Sequence, residues 1–260
     1  MLSTDPRPIT LTAHGVSLRL RAVDAPLLDG LISRAAALGW IDVEGSGVDL
    51  DYSIIDGEHG RDLICNGETL CSTTDRAALV DAFEDHAKIE LAWRAPHHLF
   101  VHAGVVGWRG GAIVIPGRSR TGKTTLVEAL VRAGADYYSD EFALLDASGC
   151  VHPYAIPLGV RGPEGRRAIA VDAIGGRSGT DPLPVATIVL TEYHARARWR
   201  PRAVSPGLAM LALMDNTVAA RQSPERTMPI LRRAVEAATV VRSRRGDAAA
   251  TAQILLAHVP

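Results

Sequence analysis

The period of apolar and polar positions changes several times along the chain, and each change marks an element. Residues 8–22 alternate through Ile9, Leu11, Val16, Leu18 and Leu20, which predicts one or two strands. Residues 25–39 set Leu27, Leu28, Leu31, Ile32 and Ala35 at helical spacing. Segments 48–55, 61–66 and 68–72 predict short strands, parted by the turn signals Asp56-Gly57 and Asn66-Gly67. Asp75 can cap a long helix that runs to about Trp93 and that Pro96 ends. Residues 1–95 thus predict a small α+β region, in which no candidate site stands out.

From residue 96 the pattern becomes more apolar. Residues 99–107 read as a strand with one polar interruption, His102. Gly110-Gly111 turns it into a second, wholly apolar run, Gly111 to Pro116, suited to a buried strand. Residues 124–132 follow with Leu126, Leu130 and Ala133 on one helical face, and Gly134 stands where a helix would be capped. Residues 150–182 are rich in Gly, Pro and Arg, have little periodicity and read as long loops. A cleaner buried run, Ala186 to Leu190, precedes Glu192. Helices are expected over 205–214 and 224–237, each opened by Ser-Pro, then a strand over 239–242 and a last helix from Asp247 to about Ala257. The order predicts an α/β fold, with a nucleotide-binding domain over residues 96–260.

That domain is expected because of what joins the apolar run to the helix: Gly117-Arg118-Ser119-Arg120-Thr121-Gly122-Lys123-Thr124-Thr125. It fits the Gly-x4-Gly-Lys-[Ser/Thr] pattern of phosphate-binding loops, with strand before and helix after as such a loop requires. Gly117 and Gly122 let the backbone turn tightly and approach a ligand. Several N–H groups then converge on one point, and the helix N-terminus adds its own. Lys123 can reach the β- and γ-phosphates of ATP, and the Thr124 hydroxyl can bind Mg²⁺. Of the 28 basic residues only Lys88 and Lys123 are lysines. A chain that otherwise uses Arg keeps Lys where a compact point charge fits better than a planar fork.

Composition narrows the picture further. The hydrophobic fraction of 47% is ordinary for a soluble protein, and no apolar run approaches the roughly 20 residues of a membrane span. The N-terminus lacks an apolar signal region, and three cysteines without metal-ligand spacing do not suit a disulfide framework. A soluble cytoplasmic protein is expected. The net charge of −1 is unevenly spread. Residues 1–100 hold 8 Arg and Lys against 16 Asp and Glu, whereas residues 194–260 hold 11 against 4. The basic end suits an acidic partner, or the two ends simply attract each other.

Asp140 and Glu141 lie in an otherwise apolar stretch, between Tyr137-Tyr138 and Phe142 to Leu145. Carboxylates there need a partner, because burying a bare charge is costly. Mg²⁺ on the phosphate loop is such a partner, and a turn that keeps both acids in water is the alternative. Glu192 is the rival acid for that place. Arg161, Arg166, Arg167 and Arg177 are candidates to hold phosphate or an acidic substrate.

These residues together resemble the HPr kinase/phosphorylase family in its kinase domain, and more closely the stand-alone HPr-kinase-like proteins, some of which phosphorylate lasso-peptide precursors. The resemblance is good over about residues 98–160. His102 lies 15 residues before Gly117 and Asp140 lies 17 residues after Lys123, both as in the family. It implies an HPr-kinase-like fold with ATP and Mg²⁺ as cofactors. It implies Asp140 as the base for the acceptor hydroxyl, Glu141 and Thr124 at the metal, and His102 in support. The second acid is Glu where the family has Asp, the loop carries the bulky Arg118 and Arg120, and the N-terminal region does not look like that of the bifunctional enzymes.

The expected function is therefore an ATP-dependent kinase acting on a hydroxyl of a peptide, a protein or a small molecule. The alternative is a nucleotide-binding switch or assembly factor that acts through a partner. A nucleic-acid role for the Arg-rich segment 196–202 has only charge behind it. The sequence leaves the acceptor open, and a homo-oligomer as well.

Overall fold

The computed structural model describes residues 6–43, 47–118, 121–162 and 165–259. Two compact units divide the chain, Met1–His97 and His98–Pro260. Both mix helices with sheets, and among the described residues no helix is long and apolar enough to cross a membrane.

In the first unit, β1 (Ile9–Ala13) and β2 (Val16–Ala22) form a hairpin. The helix α1 (Ala25–Ala37) is capped by Asp24, whose carboxylate accepts the Leu27 N–H at 2.8 Å. The short β3 (Ile41–Asp42) edges β1, and β4 (Leu50–Gly57) returns parallel to β2. A meander of β5 (Gly60–Cys65) and β6 (Glu68–Thr73) completes the order β3-β1-β2-β4-β5-β6. The last element, α2 (Arg76–Arg94), is capped by Asp75. Alternate strand residues are buried, among them Leu18, Leu20, Leu50, Tyr52 and Ile54, with Leu27, Leu31, Leu79 and Phe83 of the two helices. The period-2 pattern thus has its plain meaning, one face packed and one face wet.

One charged group in this unit is buried by design of the helix spacing. Lys88 sits four residues after Glu84 on α2 and pairs with it, and Arg34 of α1 pairs with the same carboxylate. Burial pushes the Glu84 carboxyl up, but the Lys88 and Arg34 contacts outweigh it and hold it below the usual range. A carboxyl lowered in the folded state gives stability that is present above its unfolded pKa and is lost as the pH falls through the lowered value. Lys88→Met is expected to cost roughly 2 kcal/mol at neutral pH, less than a fully orphaned buried charge because Arg34 remains. The cost should shrink at pH values acid enough to protonate Glu84. Thermal melts of parent and variant at pH 7 and near pH 3 check both.

In the second unit, β7 (Leu99–Trp108) and β8 (Gly111–Pro116) form a hairpin, and α3 (Lys123–Arg132) follows β8. Next come β9 (Asp136–Ser139), β10 (Phe142–Leu145) and β11 (Cys150–His152). The hairpin β12 (Leu158–Gly162) and β13 (Gly165–Ile169), with a 3-10 turn at Asp172–Ile174, precedes the long β14 (Leu183–Tyr193). The chain ends with β15 (Arg202–Ala203), α4 (Pro206–Asn216), α5 (Pro224–Glu236), β16 (Thr239–Arg245) and α6 (Ala248–His258). The main sheet runs β11-β10-β7-β8-β14-β16-β15, with β8, β14 and β16 parallel.

Helices cover both faces of this sheet. Leu99, Val101, Ala103 and Val105 of β7 pack with Leu213 of α4 and Leu231 and Val235 of α5. On the other face, Val106, Ile113 and Ile115 pack with Leu126 and Leu130 of α3 and Leu255 of α6. Every residue of β8 is buried, as its unbroken apolar run predicts. Residues 150–182 are a correction to the loop expectation, since they hold β11, β12, β13 and the 3-10 turn. The β12–β13 hairpin forms a two-stranded sheet of its own, and its Leu158 is fully buried. Its Gly and Arg content hid the alternation.

Candidate phosphate-binding site

The site forms where β8 gives way to α3. Gly117, the first loop residue, donates its N–H to the His102 carbonyl on β7 at 3.1 Å, which anchors the loop to the sheet. Gly122 caps α3 with φ of 81°, in the left-handed region, and no side chain caps the helix. The N–H groups of its first turn therefore have no partner within the helix. Gly104 on β7 lets the helix come this close. A Cβ there would stand 2.5 Å from a methyl of Val127, one turn after Lys123.

Lys123 folds back over the loop, and its ammonium donates to the carbonyls of Gly117 (2.5 Å) and Arg118 (2.9 Å). Burial lowers its pKa, opposed by the charges of Glu141 and then Asp140. The Thr121 hydroxyl also donates to the Arg118 carbonyl, at 2.9 Å. Arg118 and Thr125 are exposed. Ser119 and Arg120, also expected in the loop, lie outside the described residues.

Asp140 stands against this loop. It occupies a break between β9 and β10, two strands that pair with successive halves of β7. The break has a local cause: the Ser139 hydroxyl accepts the N–H groups of both Glu141 (3.1 Å) and Phe142 (3.0 Å). Asp140 is only 3% exposed. Its carboxylate accepts the Thr124 hydroxyl at 2.8 Å, the Tyr137 hydroxyl at 2.9 Å and the Gly159 N–H of β12 at 3.3 Å. Tyr137 is itself buried and shares its hydrogen with the Ile156 carbonyl at 2.9 Å. Burial, then the Asp140 charge, pushes its phenol well above the usual tyrosine range. Glu141, next in the chain, is half-buried and is the largest charge acting on Lys123.

His102 is brought to the same place by another route. Its ring lies over Phe142 at 4.5 Å between centroids, while its carbonyl holds Gly117. Glu192 does not take the place beside Thr124. It is exposed and lines a cavity of about 470 Å³ that opens next to Gly117 and Thr121. That cavity lies at the carboxyl ends of the parallel strands, where α/β sheets usually bind ligands. Arg177 is at the far end of the sheet, paired with Asp136 at 3.1 Å, so the expectation that it meets phosphate is corrected. Arg167 is exposed, and the side chains of Arg161 and Arg166 lie outside the described residues.

One contributor was missed in the sequence. Arg245, the last residue of β16, is 2% exposed and donates to the Gly122 carbonyl at 2.6 Å. Its guanidinium lies over the Tyr193 ring, 5.6 Å from the centroid. The sequence does not set Arg245 apart, since it is one of three arginines in the seven-residue β16. Arg245 also fixes the need for glycine at 122, because a Cβ there would strike its Nη2. Gly122→Ala is expected to cost about 1–2 kcal/mol, from the left-handed backbone and the displaced arginine together. Chemical denaturation measures it, and nucleotide affinity should fall in parallel.

Among the described residues no group of three or more His, Cys, Asp and Glu is placed to hold a metal by itself. Mg²⁺ is commonly held by one or two carboxylates together with substrate phosphates. Thr124, Asp140 and Glu141 offer the hard oxygen donors for such a shared site. No family model and no curated protein matches the chain, and what the site does is therefore read from its own geometry.

Proposed function

We propose that the protein is an ATP-dependent phosphotransferase, carrying the γ-phosphoryl group to a hydroxyl of a peptide, a protein or a small molecule. This is the activity that its resemblance to HPr-kinase-like proteins implies. One observation carries the reading: Thr124, first turn of the loop helix, is hydrogen-bonded to the buried Asp140, with Lys123 beside them. The loop N–H groups and Lys123 hold the β- and γ-phosphates and stabilise the charge that spreads over the moving group. Thr124, Asp140 and Glu141 would hold Mg²⁺, which would supply positive charge against the phosphates.

The two acids divide the remaining work. Asp140 is buried and met by three donors, so it orients the Thr124 hydroxyl and the metal. A general base must reach the proton it removes, and the half-buried Glu141 is better exposed for that. This reverses the roles that the family resemblance gives the pair. The burial of Asp140 also favours a second reading, a nucleotide-dependent switch without an acceptor. Calorimetry with ATP, with and without Mg²⁺, tests the binding common to both. Transfer of labelled γ-phosphate to an added hydroxyl acceptor separates them, and metal-independent or absent ATP binding would sink both.

A further inference from the structure

The edge of the main sheet carries four arginines that phosphate binding does not use. β15 pairs antiparallel with β16, and Arg202 stands directly opposite Arg242. Side chains opposite each other in such a pair share a face, with Cβ atoms about 4.5–5.5 Å apart. Just before β15, the Arg200 N–H donates to the Ser243 hydroxyl at 2.9 Å, which keeps Arg200 beside β16 next to Arg244. Alternate strand positions share a face, so Arg242 and Arg244 point the same way and the four arginines form a short basic ladder along the edge. All four are exposed, and none makes an ion pair among the described residues. Like charges set opposite one another destabilise a strand pair. Glu192 of β14 stands beside Arg244 in the parallel β14–β16 register and offsets part of that repulsion, while the Arg202–Arg242 pair keeps its own.

The ladder is continuous with the site. Its face is that of Val240, which packs toward α4. Arg242 and Arg244 line the cavity of about 470 Å³ whose other wall is Pro116, Gly117 and Thr121. We propose that the ladder docks an acidic stretch of a polypeptide acceptor and delivers a nearby hydroxyl to the phosphate loop, an inference that rests on the phosphotransfer reading. Guanidinium groups take carboxylates in paired hydrogen bonds. Rungs two residues apart are spaced about 6–7 Å, the repeat of alternate side chains on an extended peptide. β15 ends the sheet, so an extended peptide can lie along it. Glu192 and Asp215 line the same cavity, which disfavours the unbroken phosphate backbone of a nucleic acid but leaves room for spaced carboxylates.

The test uses the full chain and a short labelled peptide with one Ser among alternating Asp residues, read by fluorescence anisotropy. A peptide with Asn in place of Asp and a single-stranded RNA of similar length are run beside it. The parent should bind the Asp peptide best, and less tightly as salt rises. Arg200→Gln with Arg202→Gln should weaken that binding about tenfold. The melting temperature should stay level or rise, because repulsion is removed. Equal binding of Asp and Asn peptides, tighter binding of the RNA, or a lower melting temperature with unchanged peptide binding would each overturn the proposal. Mg·ATP binding by the parent is measured in parallel. If the peptide binds and ATP does not, the phosphotransfer reading fails and the ladder stands; if ATP binds and the Asp peptide does not, only the ladder fails.

Discussion

Lys123→Ala should weaken Mg·ATP binding by roughly a hundredfold and abolish transfer. The loop loses the one point charge that can reach the β- and γ-phosphates, and charge-assisted hydrogen bonds contribute about 1.5–3 kcal/mol each. The ammonium now bonds to the Gly117 and Arg118 carbonyls, so it must leave them to meet a phosphate. Lys123→Met keeps the stem packed while removing the charge, which separates lost binding from a loosened loop. Burial lowers the lysine's pKa, with Glu141 and Asp140 opposing. Since the protonated form binds phosphate, affinity in the parent should decline as the pH rises through that lowered value, short of the ordinary lysine range. Calorimetry from pH 7 to pH 10 follows it. Equal nucleotide-dependent thermal stabilisation of the parent and Lys123→Ala would rule out a working phosphate loop.

The strand, loop and helix around Lys123 were legible because everything they need is local. An apolar run, two glycines, a lysine and an amphipathic helix lie within 24 consecutive residues, 111–134. What surrounds the loop was not, because it comes from far along the chain. Arg245 reaches Gly122 across 123 positions, and no periodicity announces it. The hairpin that brings the Gly159 N–H to Asp140 is rich in Gly and Arg and shows no clear alternation in the sequence. His102 was singled out as a polar residue in an apolar strand, and it does stand beside the loop. Its carbonyl, which no sequence signal distinguishes, makes the bond to Gly117, while its ring rests on Phe142. Asp140 and Glu141 were legible as a pair in apolar surroundings. Their unequal burial was not, because it depends on the Ser139 hydroxyl holding the break open and on Tyr137 and Thr124 closing over one carboxylate.

That unequal burial gives the two acids different expected phenotypes. In Asp140→Asn, three donors still point at the side chain, from Thr124, Tyr137 and Gly159. An amide offers one acceptor atom and turns its NH₂ toward donors that then lose a partner. The Thr124 hydroxyl is no longer held in place, and the proposed Mg²⁺ site would lose a carboxylate. Mg·ATP affinity should therefore fall at least tenfold, and folding stability by about 1–3 kcal/mol, since a buried polar group goes unmet. Glu141→Gln instead changes a half-buried side chain. It should keep Mg·ATP binding near that of the parent and lose roughly 10²–10⁴-fold in transfer, the usual worth of a positioned general base. The loose transition state of phosphoryl transfer can shrink that loss, because little proton removal is needed early. Binding by calorimetry and transfer of labelled phosphate, measured on both variants, decide the matter. Full binding with lost transfer in Asp140→Asn, and full activity in Glu141→Gln, would return the base to Asp140. A parent that binds Mg·ATP, phosphorylates no hydroxyl acceptor offered to it and gains affinity for a partner protein only with nucleotide would instead be the switch.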